Sequence, residues 1–145
     1  MYKHILIPTD GSALSNQAIH HGVALAKTFG AAVSALTVSP TFHNFALDPA
    51  QVTATAEQYE KDCLARAEKH LAVARVEAGI AGVPCETMHV INDQPYQVII
   101  DTAKTAPCDL IVMASHGRRG MSALLLGSET SKVLTHSKIP VLVCR

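Results

Sequence analysis

The sequence has no tryptophan, and aromatic residues make up only 4% of its 145 positions. Rings to sandwich a flavin are therefore scarce, which argues against a flavodoxin-like electron carrier. It also lacks an excess of either charge, with twelve basic residues balancing twelve acidic ones. A domain that grips duplex DNA or RNA usually carries a basic surplus to neutralise phosphates, so no nucleic-acid partner is expected. No uninterrupted apolar stretch approaches the roughly 20 residues that span a bilayer, so no membrane insertion is expected. The opening Met1-Tyr2-Lys3-His4-Ile5-Leu6-Ile7-Pro8 reaches Asp10 too soon for a signal-peptide core, and a cytoplasmic location is the expectation.

Other absences concern chemistry. None of the four cysteines (Cys63, Cys85, Cys108, Cys144) forms a C-x-x-C pair, so neither a zinc ribbon nor a thioredoxin-type redox pair is encoded. All four sit among apolar neighbours and read as small buried hydrophobes, with Cys144 on a terminal strand the one to watch. Eight histidines include no H-E-x-x-H, and surface or rim positions are expected for them. Gly-Lys-Ser/Thr is missing, so there is no Walker lysine after a glycine loop. No Gly-x-Ser-x-Gly elbow is present, and Ser115 and His116, as neighbours, should point apart, against a Ser-His-Asp hydrolase.

What is present is a core. Apolar residues make up 48% and charged residues 17%, enough for one folded domain over residues 1–145. His4-Ile5-Leu6-Ile7-Pro8 and Asp109-Leu110-Ile111-Val112-Met113-Ala114 are continuous apolar runs, the pattern of strands buried on both faces. Ala32 to Val38 and Ile139 to Cys144 read as further strands, and Val83 to Ile91 alternates as a strand nearer an edge should. Between them, Ser12 to Phe29 repeats apolar residues at helical spacing and closes on Gly30. Residues 39–50 read as a loop with two phenylalanines, Phe42 and Phe45, folding back over something. A long helix is expected from about Ala50 to Ala78, ended by Gly79 and Gly82. A short helix follows Asn92-Asp93-Gln94-Pro95, and a last one begins near Ser128.

Strands alternating with helices give right-handed β-α-β units, hence an α/β, Rossmann-like parallel sheet with helices on both faces. With the two most apolar strands central, the order is 3-2-1-4-5. The winding reverses between strands 1 and 4, which opens a crevice at their carboxyl ends. Two loops enter it. Thr9-Asp10-Gly11-Ser12 brings a carboxylate that can accept hydrogen bonds from ribose hydroxyls. Ser115 to Gly127 brings glycines for close backbone approach, then free N–H groups at a helix start. The Ser128 hydroxyl can cap that helix and donate to a phosphate oxygen. Sugar at the Asp10 end and phosphates at the Gly127 end make a coherent nucleotide pose.

These residues resemble the universal stress protein family, in its short single-domain form, along essentially the whole chain. The resemblance rests on Ile5-Leu6-Ile7-Pro8-Thr9-Asp10-Gly11-Ser12, Asp109 to Met113, Ser115-His116-Gly117-Arg118, Leu124-Leu125-Leu126-Gly127-Ser128 and the ending Val133-Leu134 through Val143. Nucleotide-binding members carry Gly-x-x-Gly, nine residues, then Gly-Ser or Gly-Thr. Here Gly117, the nine residues Arg118 to Leu126, and Gly127-Ser128 match, while the first position is Ala114. The resemblance implies a nucleotide site at Pro8, Thr9, Asp10, Val38, Met113, Ala114, Gly117, Arg118, Gly127, Ser128 and Glu129. Asp10 would hold the ribose or adenine side, Val38 would meet adenine through its backbone, and Met113 and Ala114 would line the sugar. Gly117, Gly127, Ser128 and Glu129 would surround the phosphates, with Arg118 and Arg119 either screening their charge or standing in solvent. An acid at Glu129 sits awkwardly beside a triphosphate unless Mg²⁺ intervenes or the side chain turns away, as a first-turn helix acid would.

The implied ligand is ATP, with AMP or ADP as alternatives, and the implied role is a stress-response regulator rather than an enzyme. It would form a homodimer through the C-terminal strand, whose Pro140-Val141-Leu142-Val143 edge would otherwise be unpaired. It would report to a regulatory protein partner. The competing expectation is a non-nucleotide-binding member acting as a dimeric interaction module, for which Ala114 speaks.

Overall fold

The computed structural model describes residues 1–45, 55–118 and 125–145. Its elements run β1 (His4–Pro8), α1 (Ala13–Phe29), β2 (Ala32–Ser39), α2 (Phe42–Phe45), α3 (Ala56–Ala81), β3 (Cys85–Ile91), α4 (Pro95–Thr105), β4 (Leu110–Ala114), α5 (Ser128–His136) and β5 (Val141–Cys144). The five strands are parallel, in the order β3-β2-β1-β4-β5.

Alternation of side chains along the central strands divides the core in two. Ile5 and Ile7 of β1 with Val33 and Ala35 of β2 face α1 and α3, meeting Ile19, Val23, Leu71 and Ala74. Leu6, Leu36, Ile111 and Met113 face the other way, onto Ile99, Ala103 and Val133 of α4 and α5. All five side chains of β4 are buried, as a strand covered on both faces requires. The half-buried pattern of β3 fits its place at the sheet edge.

Several details depart from expectation, among them the start of β5 at Val141 rather than Ile139. Helix α3 runs through Gly79 to Ala81 and stops at Gly82, whose φ of 72° is the left-handed cap conformation. Its N-terminal boundary is Thr55, whose hydroxyl accepts the Gln58 N–H; the expected start at residues 50–54 lies outside the described residues. Strand β3 begins at Cys85 rather than Val83, because Val83 N–H is still bonded to Ala78 of α3. In the loop after β2, Phe42 to Phe45 form one helical turn, and both rings pack at a tilt against Tyr59 of α3. Tyr59 in turn donates its hydroxyl to the Pro40 carbonyl.

Cys63, Cys108 and Cys144 are buried, and burial raises the Cys108 thiol to about 11, so it is inert near neutral pH. Cys85 is the exception to expectation: it is only partly covered, because the edge strand β3 leaves one face open.

Candidate functional site

The register explains where the sheet opens. Strand β1 pairs with β2 as far as Pro8↔Leu36, but with β4 only through Ile5↔Leu110 and Leu6↔Ile111. Strand β4 continues along β5 to Ala114↔Cys144. Beyond Leu6 and Ile111 the two central strands therefore part, and a gap forms at their carboxyl ends.

Thr9, on the β2 side of this gap, is locked in place. Its N–H donates to Leu36 O at 2.8 Å, its carbonyl accepts the Thr37 hydroxyl at 3.0 Å, and its own hydroxyl meets that of Ser15 at 3.1 Å. Ser12 caps α1 by accepting the Ser15 N–H. In β2, Ala32 N–H and Leu36 C=O point toward β1, whereas Val33 N–H and Ser39 C=O point toward β3. By that alternation the N–H and C=O of Val38 face the β1 side, one step past Pro8, the last residue of β1 paired there. Val38 thus offers the gap a donor and an acceptor from its backbone.

Asp10 bridges the two loops. Oδ1 accepts the Ser12 N–H at 3.0 Å and Oδ2 accepts the Arg118 N–H at 2.8 Å. Burial pushes its pKa up, but hydrogen bonds from Ser12, from the Arg118 N–H and from Ser15 outweigh that and hold the carboxyl below its ordinary value. Gly117 lies over it: a Cβ there would overlap Asp10 Oδ2. Gly127 is confined less severely, since an added Cβ would lie 3.0 Å from His116 Cα and 3.3 Å from Ser115 O. Neither glycine has a positive φ. Both are needed because backbone passes close to another group, and here that group belongs to the protein itself.

The far wall is the start of α5. Gly127 N–H donates to Ser115 O at 2.7 Å, and Ser131 N–H closes the first helical bond onto Gly127 O. Gly127, not Ser128, is the cap residue, and no side chain caps this end. Ser128 is the first helical residue, so the expected cap role moves back one position. That leaves the N–H groups at Ser128 and Glu129 as helix-start donors at the positive end of the helix dipole. Thr130, buried one turn in, donates its hydroxyl to Ala114 O at 2.9 Å and ties α5 to the end of β4.

Several expected residues play parts the sequence did not disclose. Glu129 turns toward α4: its Oε2 accepts the Tyr96 N–H at 2.8 Å, while Oε1 lies 3.3 Å from Lys132 Nζ. Helix α4 starts after Gln94 with no side-chain cap of its own, so a carboxylate from α5 serves its positive end. Met113 is a core side chain, and what it can offer a ligand is backbone. Ala114 is 8% exposed with ordinary negative φ, so alanine fits there without strain. Ser115 and His116 do meet, Oγ to Nδ1 at 3.2 Å, because strand alternation ends at Ala114. Among the described residues no carboxylate pairs with His116 as a triad acid would.

Arg118 reaches past Asp10 to His70 of α3, with Nη2 3.1 Å from Nε2. His70 was expected only as a rim histidine; 60 residues from Asp10 in sequence, it carried no signal of this contact. Arg119, paired with Arg118 in the sequence reading, lies outside the described residues. A shallow groove lined by Ile100, Lys104, Pro107 and Lys138 sits at the other end of the sheet, remote from this chemistry.

The glycine-lined gap at the β1/β4 reversal is where the sequence placed the family motif. The family model for the universal stress proteins matches residues 1–145. The chain belongs to the universal stress protein family. Among curated members it is 32% identical to universal stress protein MJ0531 of Methanocaldococcus jannaschii, over all of this chain and 83% of that one. It is likewise 32% identical to a universal stress protein of Thermus aquaticus over the full length of both. The solved structure of MJ0577 superimposes with a TM-score of 0.83 at 27% identity, covering 99% of this chain and 96% of that one. The same fold recurs at lower identity in an Archaeoglobus fulgidus universal stress protein complexed with dAMP (18% identity, TM-score 0.71, 99% and 98% covered). It recurs also in a universal stress protein complexed with cAMP (24%, 0.69, 99% and 97%). No helix among the described residues is long and apolar enough to cross a membrane.

Proposed function

We propose that this universal stress protein binds an adenine nucleotide, ATP first among them, in the gap between β1 and β4. The observation that carries this is the division of labour across the gap. Asp10, Thr9 and the Val38 backbone stand on one side, and uncapped helix-start donors at Ser128 and Glu129 stand on the other. Ribose hydroxyls donate to carboxylates, phosphates accept from such N–H groups, and an adenine edge suits a backbone donor and acceptor. Asp10 accepts the Ser12 and Arg118 N–H groups and is also bonded by serine hydroxyls, so a ribose hydroxyl would take the place of a serine hydroxyl while both N–H bonds stay. That family members elsewhere are complexed with dAMP and cAMP supports the same ligand class here.

No three His, Cys, Asp or Glu side chains converge among the described residues. Mg²⁺ would therefore arrive on the polyphosphate, holding its waters, rather than in a protein cage. Glu129, the nearest acid in sequence to the phosphate end, is committed to Tyr96 and Lys132, which favours binding over hydrolysis as the role. In this reading the protein is a cytoplasmic stress-response regulator that pairs through β5, where Leu142 is 41% exposed on a sheet edge.

The test is calorimetric titration of Mg·ATP, ADP and AMP into nucleotide-stripped protein, with Gly127→Val alongside. Saturable binding that disappears in Gly127→Val supports the site. Absence of heat and of thermal protection at millimolar nucleotide would place the chain among interaction modules instead.

A further inference from the structure

His70 lies on α3, yet its ring covers the turn after β1: a Cβ on Gly11 would run into His70 Cδ2 and Nε2. Its Nε2 lies 3.1 Å from Arg118 Nη2. A guanidinium only donates, so Nε2 must be the lone-pair nitrogen and the ring must be neutral with its proton on Nδ1. Nδ1 is buried and has no hydrogen-bond partner among the described residues, so that N–H is an orphan. Leaving a donor unpaired is unfavourable, and what offsets it here is the contact on the other side of the ring. Arg118 has no carboxylate within salt-bridge distance among the described residues, so His70 is the acceptor its side chain has found.

The backbone of the same residue carries the loop-to-loop bond, Arg118 N–H to Asp10 Oδ2. Holding the guanidinium on α3 therefore limits the freedom of the residue that closes Gly117 onto Asp10. We propose that neutral His70 is a positioning residue for the nucleotide gap, a proton-sensitive latch that docks Arg118 on α3 and so keeps Gly117 and Arg118 against Asp10. Protonating Nε2 removes the acceptor and sets two cations side by side, which opens the latch. The charged groups facing the ring are Arg118 from that loop, Asp10 from the β1–α1 loop and Arg66 from α3 itself. Burial and then the Arg118 charge lower the pKa of His70 from its ordinary 6.5; Asp10 opposes them and Arg66 adds to them. The latch is thus closed at neutral pH and opens as pH falls below the ordinary histidine range.

Two measurements test it, and only the second rests on the nucleotide reading. In nucleotide-free protein, exchange of the Arg118 amide is followed by NMR at about pH 7.5 and about pH 5. After correction for intrinsic rates, protection at Arg118 should drop about fivefold in His70→Ala at the higher pH and be restored in His70→Gln, whose amide oxygen can accept from Arg118. Acid should reduce protection in the wild type and leave His70→Gln unchanged. AMP affinity should follow the same pattern, weaker by about fivefold in His70→Ala and recovered in His70→Gln. Equal protection in all three proteins, or a ring protonated at neutral pH, overturns the latch. Acid-strengthened AMP binding that depends on His70 also overturns it, since the cation pair would then be gripping phosphate directly. If AMP binds none of the variants, the nucleotide reading fails while the exchange measurement still decides the latch.

Discussion

The two walls of the gap are built by opposite means. At the β1 wall, Asp10 and Thr9 are already engaged: the carboxylate takes N–H groups from Ser12 and Arg118, and Thr9 bonds to Leu36, Thr37 and Ser15. At the α5 wall, the helix begins at a glycine, and no side chain caps its first N–H groups. One wall is held rigid by internal bonds; the other keeps its bonding capacity in reserve. A glycine cap forgoes only about a few tenths of a kcal/mol relative to Ser or Asp, so leaving this end open to an external anion costs little.

That contrast can be broken most forcefully at Gly127. Valine there meets the His116 backbone, so the loop must move and the donors with it; nucleotide affinity should fall by at least about thirtyfold, on the scale of severe overpacking. Titration calorimetry reads the loss, and circular dichroism checks that the fold survives.

Asp10→Asn attacks the rigid wall instead. Loss of the charge on two hydrogen bonds, partly screened by solvent, should destabilise the protein by about 1 kcal/mol at neutral pH, read by urea denaturation. The sign follows from the lowered pKa. The native state binds fewer protons than the unfolded chain, so the Asp10 contribution is complete above the ordinary carboxylate value of 3.8 and is lost as pH falls through the native value. The difference between wild type and Asp10→Asn should therefore shrink toward zero in acid.

A smaller effect is expected at Ala114. Restoring glycine should improve nucleotide affinity only a few-fold, because alanine is unstrained there. Glycine inside β4 should meanwhile lower stability by about 0.5–1 kcal/mol. Gains in affinity above about tenfold would show that the methyl group intrudes on the ligand more than the geometry of the gap implies.

The sheet was legible because its central strands are covered on both faces. Ile5-Leu6-Ile7 and Leu110 to Ala114 cannot be anything but apolar, and their two runs fix the centre, the winding reversal and the position of the gap. The glycine spacing was legible too, but it was read for a phosphate, whereas Gly117 and Gly127 make room for Asp10 and His116 of the protein itself. What stayed hidden depends on contacts distant in sequence. Glu129 looked like an acid favouring its own helix, and nothing local shows that it bonds to Tyr96 at the start of another. His70 sits 48 residues from Arg118, and only the packing of α3 over the β1 turn brings them together. The end of α3 was misplaced because Gly79 is tolerated inside a helix, whereas Gly82 takes the left-handed turn that stops it.

The most direct measurement of the central claim is a crystal structure of the chain grown with AMP. The account predicts the phosphate on the N–H groups of Ser128 and Glu129, a ribose hydroxyl on the Asp10 carboxylate, and the adenine edge on the Val38 backbone. A phosphate bound elsewhere, or a ribose that leaves Asp10 untouched while AMP occupies the gap, would contradict it.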